Sequence, residues 1–181
     1  MVMTRKLWLV FAIILLVVTA IGVSVYRVYR FSPNVDRSTA PPVPTSRAKT
    51  TLSVDVANAR VSGTSLEIPI AIDTGGNTVS IVELHLGFDA KLLTGVSIQP
   101  GSFFSNPMII ENKVDGNNGT IVMTLSTLTP RQGTGPLVTI SAIAVQKTSM
   151  TIHIDPKTKV AAIGEKGNVL RSTNDGTVQV P

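Results

Sequence analysis

The chain has 181 residues, of which 43% are hydrophobic and 15% are charged, and it contains no cysteine. That length is enough for one ordinary domain with an appendage, and the lack of cysteine excludes disulfides, thiolate metal sites and a cysteine nucleophile. The formal net charge is +5, but residues 51–181 carry nine basic and ten acidic side chains, and the excess of basic residues lies in the first fifty. We therefore expect no nucleic-acid partner, because the C-terminal part has no basic field.

An apolar segment without a charged side chain runs over residues 7–26, from Leu7 to Tyr26. Twenty helical residues, at about 1.5 Å each, span the roughly 30 Å hydrocarbon core of a bilayer. Trp8 and Tyr26 lie near its ends, where aromatic rings favour the membrane interface. The sequence predicts a single transmembrane helix within an N-terminal anchor of residues 1–30. A signal peptide cleaved near Ala20 is the alternative, but the apolar run continues past that residue.

The orientation of this anchor is predicted from the charges beside it. Two basic side chains flank each end, so the positive-inside rule alone does not choose between the two orientations. The α-amino group adds a positive charge on the N-terminal side, and a β-rich domain suits an outward position. We expect the N-terminus in the cytoplasm and the C-terminal domain outside it, at the cell surface.

A linker is predicted over residues 31–50. This segment contains four prolines separated mainly by Ser, Thr, Arg and Lys, and it has no apolar periodicity. Proline fixes φ and removes a backbone donor, so the segment is expected to be extended, in part as polyproline II. At about 3.1 Å per residue it would hold the following domain up to roughly 60 Å from the bilayer.

Apolar and polar side chains alternate with a period of two along residues 51–181. The alternation is clearest over residues 65–73, 81–88 and 121–126, and it is typical of strands that bury one face. Further strands are predicted at residues 52–59, 94–99, 109–114, 137–145, 150–155 and 177–180. Turns rich in Gly, Asn and Asp separate them. The sequence predicts an all-β antiparallel sandwich of about nine strands, with Pro69 on an edge strand because proline cannot donate to a ladder.

An ordered series of motifs in this region resembles the cohesin domain. The series comprises Gly63-x-x-Leu66-x-Ile68-Pro69-Ile70, Phe88-Asp89-x-Lys91-Leu92-Leu93, Pro100-Gly101-Ser102-Phe103-Phe104, Gly135-x-Leu137-Val138-Thr139-Ile140 and Gly176-Thr177-Val178-Gln179-Val180. The resemblance implies a nine-stranded jelly-roll sandwich related to several carbohydrate-binding modules. It also implies non-enzymatic attachment to a protein partner, which in that family is a dockerin module. Ala90 stands where the family usually has proline.

The candidate partner-binding residues are six outward positions on two predicted strands. Partner contacts in cohesins come from one sheet face, and the resemblance places the first three positions on the matching strand; the other three are expected on the same face. They are Ile81, Glu83, His85, Val122, Thr124 and Ser126. Attachment needs a rigid face with a few anchoring side chains. The competing interpretation is an ordinary solvent-facing sheet.

A polysaccharide-binding module of the related carbohydrate-binding superfamily is the second hypothesis. Sugar-binding faces commonly stack sugars on exposed aromatic rings, and the aromatic residues of the predicted domain are Phe88, Phe103 and Phe104. Phe88 belongs to the core-facing alternation, and the other two are expected to pack under a loop. A flat aromatic platform is therefore not expected, although a hydrogen-bonding groove could still bind sugar.

A retropepsin-like aspartic protease is the third hypothesis, and it depends on Asp73-Thr74-Gly75. Aspartic proteases bring two such loops together so that their carboxylates share a proton. The favoured interpretation is a turn capped by Asp73, because the cohesin motifs cover far more of the chain and Gly76 replaces the alanine usual in those proteases. We expect no enzymatic activity.

Metal ions and cofactors are not expected. His85 and His153 are the two histidines, both at outward positions, and no third ligand for zinc is apparent. The turn at residues 115–119 begins with Asp115 but lacks the acidic ligand at the twelfth position of an EF-hand loop. A hairpin turn with Asn118 and Gly119 at its tip is the favoured interpretation.

Overall fold

The computed structural model of the chain describes residues 48–180. Twelve strands occur in this region, and one 3₁₀ turn at Val56–Asn58 follows the first of them. The strands are β1 (Thr50–Val54), β2 (Arg60–Ser62), β3 (Ser65–Asp73), β4 (Val79–Gly87), β5 (Leu93–Pro100), β6 (Met108–Asp115), β7 (Thr120–Arg131), β8 (Thr134–Ala144), β9 (Ser149–Ile154), β10 (Lys159–Ala162), β11 (Leu170–Asn174) and β12 (Gly176–Gln179).

The strands form two six-stranded sheets. Sheet A has the order β11-β1-β3-β8-β5, with β2 also beside β3; sheet B has the order β12-β9-β4-β7-β6, with β10 also beside β4. The pairing of β1 with β11 is parallel, and the other pairings in this part of the chain are antiparallel. The all-β sandwich is confirmed, but the predicted count of nine strands is wrong, because twelve are present. The three additional strands, β2, β10 and β11, have three to five residues each.

The alternating apolar residues of both sheets form one common core. Along β3, and along β4 from Val82 onward, every second side chain is buried, as the pleat of a strand requires. Leu66 and Ile68 of sheet A and Leu84 and Met123 of sheet B are almost fully enclosed. Each such side chain contributes roughly 1.5–3 kcal/mol through burial. Because the core residues run from Leu52 to Val180, residues 48–180 contain a hydrophobic core of their own, which is what an independently folding domain needs.

The prediction that Pro69 lies on an edge strand is wrong. β3 is an inner strand, and Pro69 pairs with Thr139 of β8. On the opposite side of β3, the pairing with β1 stops at Ile70 and the pairing with β2 reaches only Glu67. The Asp55 N–H donates to the Pro69 carbonyl in the gap between these two strands, at 2.8 Å. An inner strand tolerates proline here because its missing N–H faces a point where no ladder hydrogen bond is required.

The predicted transmembrane helix over residues 7–26 and most of the predicted linker lie outside the described residues. The same holds for the alternative of a signal peptide cleaved near Ala20. Within residues 48–180, no helix has the length and apolar character needed to cross a bilayer.

Candidate protein-binding face

The six predicted binding residues form three cross-strand pairs on the outer surface of sheet B. The register of β4 against β7 places Ile81 opposite Ser126, Glu83 opposite Thr124 and His85 opposite Val122. The residues that alternate with them belong to the buried core, so these six side chains lie on the other side of the sheet. We call this set of six residues the β4–β7 face. The six residues therefore lie on one face, as the sequence predicted.

One end of the β4–β7 face is apolar. Ile81 is 40% exposed, and on the far side of Ser126 the edge strand β6 places Met108 opposite that serine. Ser126 itself is buried although it belongs to the outer face, so a small residue lies between two larger apolar ones. Such a site can receive an apolar side chain of a partner, because it combines exposed apolar area with a low point in the surface.

The other end of the face carries an ionic network. His85 Nε2 donates to the Glu83 carboxylate at 2.9 Å, and Lys159 Nζ of β10 lies 3.5 Å from the other oxygen of that carboxylate. The hydrogen bond from His85 is the main reason that the pKa of Glu83 lies below its usual value; desolvation opposes it, and the charge of Lys159 adds to the lowering. The network keeps a negative group in a fixed position on the outer surface of sheet B.

The backbone of His85 is held by a residue that the sequence did not indicate. The His85 N–H donates to Thr158 Oγ1 at 3.0 Å, and the same hydroxyl donates to the His85 carbonyl at 3.2 Å. Thr158 is fully buried, so this pair of bonds fixes the strand from the side of the turn before β10. No local signal in the sequence links Thr158 or Lys159 to β4, because that contact depends on how the chain returns to the sheet.

A large bulge in β7 follows the apolar end of the face. Ile81 pairs with Ser126, yet Val79, two residues before it, pairs with Arg131, so β7 has extra residues at this point. Thr127 Oγ1 accepts a hydrogen bond from the Thr129 N–H inside the bulge, at 3.1 Å. Leu128 at its tip is 85% exposed. Bulges redirect side chains and are frequent next to binding sites, and this one projects a leucine from the surface.

The segment Asp73-Thr74-Gly75 forms a turn. The Gly75 N–H donates to Asp73 Oδ1 at 2.9 Å. Thr74 is fully buried, where its hydroxyl accepts from the Gly133 N–H at 2.9 Å and its carbonyl accepts from Thr50 Oγ1 at 3.2 Å. These contacts are those of a turn that ties two loops of sheet A together, which is the interpretation favoured over a protease loop.

The remaining candidate groups also have structural contacts. Asp115 accepts hydrogen bonds from the side chain and N–H of Asn118 and from the Asn117 N–H, and these bonds hold the pKa of Asp115 below its usual value. His153 Nδ1 lies 2.8 Å from Asp175 Oδ2. The three phenylalanines, Phe88, Phe103 and Phe104, are buried. Among residues 48–180 there is no cluster of three metal-ligating side chains.

Two facing sheets around one common core define a β-sandwich module. A family model for the cohesin domain matches residues 50–180, and the chain belongs to the cohesin family. No curated protein sequence matches the chain at a significant level.

Solved cohesins have the same fold at low sequence identity. The third ScaC cohesin of Acetivibrio cellulolyticus, solved in complex with the ScaB dockerin, is 17% identical with a TM-score of 0.59, and the match covers 72% of this chain and 98% of that one. A non-cellulosomal cohesin of the archaeon Archaeoglobus fulgidus is 21% identical, with a TM-score of 0.54 and coverage of 73% and 91%. The OlpC cohesin of Clostridium thermocellum, solved with the dockerin Doc435, is 13% identical, with a TM-score of 0.58 and coverage of 74% and 94%.

Proposed function

We propose that this chain is a non-enzymatic attachment module that binds a dockerin-type protein partner through the β4–β7 face. The observation that carries the proposal is the register of β4 against β7, which groups all six predicted residues on one side of a single sheet. Membership of the cohesin family supports the class of partner, as do similar structures solved as cohesin–dockerin complexes.

The β4–β7 face suits a protein partner better than a sugar. Its apolar end, with Ile81 and the neighbouring Met108, can be covered by an apolar anchor of a partner, and its ionic end offers the fixed carboxylate of Glu83. Backbone pairing on both sides of β4 holds these side chains in place, so binding loses little conformational entropy. The buried phenylalanines leave no aromatic ring on the described surface for sugar stacking.

The binding proposal is tested with Thr124→Arg, at the centre of the face. Ser141→Arg is the matched control, because Ser141 is a half-buried outward residue at the centre of sheet A. Isothermal titration calorimetry would use the fragment of residues 48–181, dockerin modules from the same source organism and the ScaB dockerin. We expect T124R to weaken binding about a hundredfold, as loss of a central contact does, and S141R to bind like the wild type. Equal binding by both variants, or no dockerin bound by the wild type, would contradict the proposal.

The module is proposed to act outside the cytoplasm, anchored by residues 7–26. The uncharged apolar length of this segment and the Pro-rich linker after it support that location. In spheroplasts, we expect the full chain in the membrane fraction, with its C-terminal domain degraded by added protease. Deletion of residues 7–26 is the matched control and should release the protein from the membrane. Protection of the C-terminal domain in intact spheroplasts, with degradation after lysis, would reverse the orientation.

A further inference from the structure

β6 forms an edge of sheet B that is open on one side. It pairs with β7, and within the described residues no strand pairs with its other side. Its first six residues are exposed, among them Ile110, which is 64% exposed, with Met108 and Ile109 close to one half. An exposed apolar edge strand presents unpaired N–H and C=O groups to any strand of suitable sequence.

The charges on this edge match those of a second copy of the same strand. Glu111 and Lys113 lie opposite Thr124 and Val122 of β7 and therefore point to the outer side of sheet B. Neither forms an ion pair within residues 48–180. If two copies of β6 run antiparallel with the two-fold axis at Asn112, Glu111 of each copy lies directly opposite Lys113 of the other, so that two opposite-charge pairs form.

Like charges disfavour the two registers on either side of this one. With the axis at Glu111, two glutamates face each other, and with the axis at Lys113, two lysines do. Like charges directly opposite one another on a sheet are destabilising, so the charge pattern favours the register centred on Asn112 over these two. The bulge between Ile109 and Glu111 limits regular pairing to a short stretch around this centre.

We propose that β6 pairs with β6 of a second copy of this chain, antiparallel and with its two-fold axis at Asn112. The interface is isologous, since the same strand is used by both copies. The axis is perpendicular to the sheet, so the two B sheets become one and both β4–β7 faces lie on the same side of it. This proposal rests on the edge itself and not on the proposed function, and its test needs no dockerin.

Self-association is measured by sedimentation velocity of the fragment of residues 48–181, which contains the complete core. Edge pairing buries less area than a standard interface, so the concentration series runs from about 1 μM to about 1 mM. We expect the wild type to dimerise within this range. E111K and K113E each place like charges opposite one another and should weaken the dimer about tenfold or more. A wild type that remains monomeric throughout the series would overturn the proposal.

The charge-swapped variants make the register itself testable. The double variant E111K/K113E restores both opposite-charge pairs and should dimerise like the wild type. A mixture of E111K with K113E should form a heterodimer more readily than either variant forms a homodimer, because all opposed charges are then complementary. Equal dimerisation of the wild type and both single variants, or failure of the mixture to associate, would overturn the β6 register. Thermal unfolding of each variant shows whether it is folded.

A thiol at the axis gives a second readout. The chain has no cysteine, so N112C introduces one thiol per copy, and the two thiols lie within disulfide range if Asn112 is on the axis. Oxidation should give a covalent dimer of N112C. R171C, at an exposed position on the β11 edge of sheet A, is the matched control and should stay monomeric. Equal yields of cross-linked N112C and R171C would contradict the specific pairing.

Discussion

The central strands of the two sheets, β3 and β4, have the same alternation but present different outer surfaces. β3 pairs with β1 and β2 in succession, and the gap between those strands lies at Pro69. β4 is paired with β7 and β10, and the Glu83 carboxylate on it is held by His85 and Lys159. Alternation determines which side chains enter the core, whereas the neighbouring strands determine how firmly the outer side chains are held.

Truncation of one core residue on each strand tests whether β3 and β4 are equivalent on their core sides. Ile70 of β3 and Leu84 of β4 are both fully buried. Ile70→Ala and Leu84→Ala should each lower the free energy of unfolding by about 4 kcal/mol, since each removes buried methyl groups and leaves a cavity. Urea unfolding of residues 48–181 measures both. A difference of more than about 2 kcal/mol between them would show that one sheet relaxes around the cavity and the other does not.

The turn that leads into β7 is expected to tolerate replacement of its glycine less well than the turn between β2 and β3. Gly119 and Gly63 both have positive φ, +65° and +60°. A Cβ atom on Gly119 would overlap the Phe88 carbonyl oxygen, whereas at Gly63 it would enter open space. Gly119→Ala should therefore cost about 3 kcal/mol, from left-handed strain and the overlap, and Gly63→Ala only about 1 kcal/mol, from strain alone. Equal losses in thermal unfolding would show that the backbone near Phe88 moves freely.

The loop after β3 is stabilised mainly by the buried hydroxyl of Thr74 and not by the carboxylate of Asp73. Thr74→Val removes the acceptor of the Gly133 N–H and should cost about 2 kcal/mol, because the buried donor loses its partner. Asp73→Asn keeps a side-chain acceptor for the Gly75 N–H and should change stability by less than about 0.5 kcal/mol. Thermal unfolding measures both variants. A larger loss for D73N than for T74V would reverse this assignment.

The sequence predicted the core and the orientation of the candidate face better than it predicted the sheet edges. Long alternating segments such as β3 and β4 carry enough period-two signal to separate inward from outward residues. The resemblance to cohesins, and not the alternation, indicated which outward residues form the candidate face. β2 and β11 have no fully buried side chain and so carry no alternation signal; they form because their partners stabilise them. The prediction for Pro69 is wrong because proline lacks a single N–H donor, and an inner strand accommodates that loss where the neighbouring strand leaves a gap.

Contacts between distant segments were not predictable for a related reason. Lys159 reaches Glu83, and Thr158 holds the backbone of His85, only because the chain returns to the edge of β4 after the β9 strand. The bulge that exposes Leu128 depends on the register between β4 and β7. Alternation indicates which side chains of a strand face the core, but the register of the strand against its neighbour depends on turn geometry and packing.

Acid should weaken the junction of β9 and β12 through Asp175. Its carboxylate accepts from the Ile154 N–H at 2.8 Å and contacts His153, and the first of these bonds is the main reason that its pKa lies below the usual 3.8. The unfolded chain binds this proton at a higher pH than the folded one, so the contribution is present above pH 3.8 and disappears as pH falls through the lowered pKa. When the free energy of unfolding is measured from neutral pH to below pH 3.8, it should therefore fall more steeply for the wild type than for Asp175→Asn. Parallel curves would exclude this contribution.

An ion pair on each outer surface allows a direct comparison of β3 with β4. Arg60 and Glu67 on sheet A lie 3.9 Å apart, with side chains 84% and 57% exposed, whereas Glu83 and Lys159 on sheet B lie 3.5 Å apart and the carboxylate is also held by His85. Solvent screens the first pair and leaves both side chains mobile.

Double-mutant cycles should give a coupling of about 0.5 kcal/mol for Glu83 with Lys159 and at most about 0.2 kcal/mol for Arg60 with Glu67. Glutamine replaces each glutamate, and alanine replaces the basic residue. Both couplings should shrink at about 1 M salt, where the screening length is about 3 Å. Equal couplings in the two cycles would mean that the hydrogen bond from His85 does not fix the Glu83 carboxylate, and the ionic end of the β4–β7 face would then be as mobile as the outer surface of sheet A.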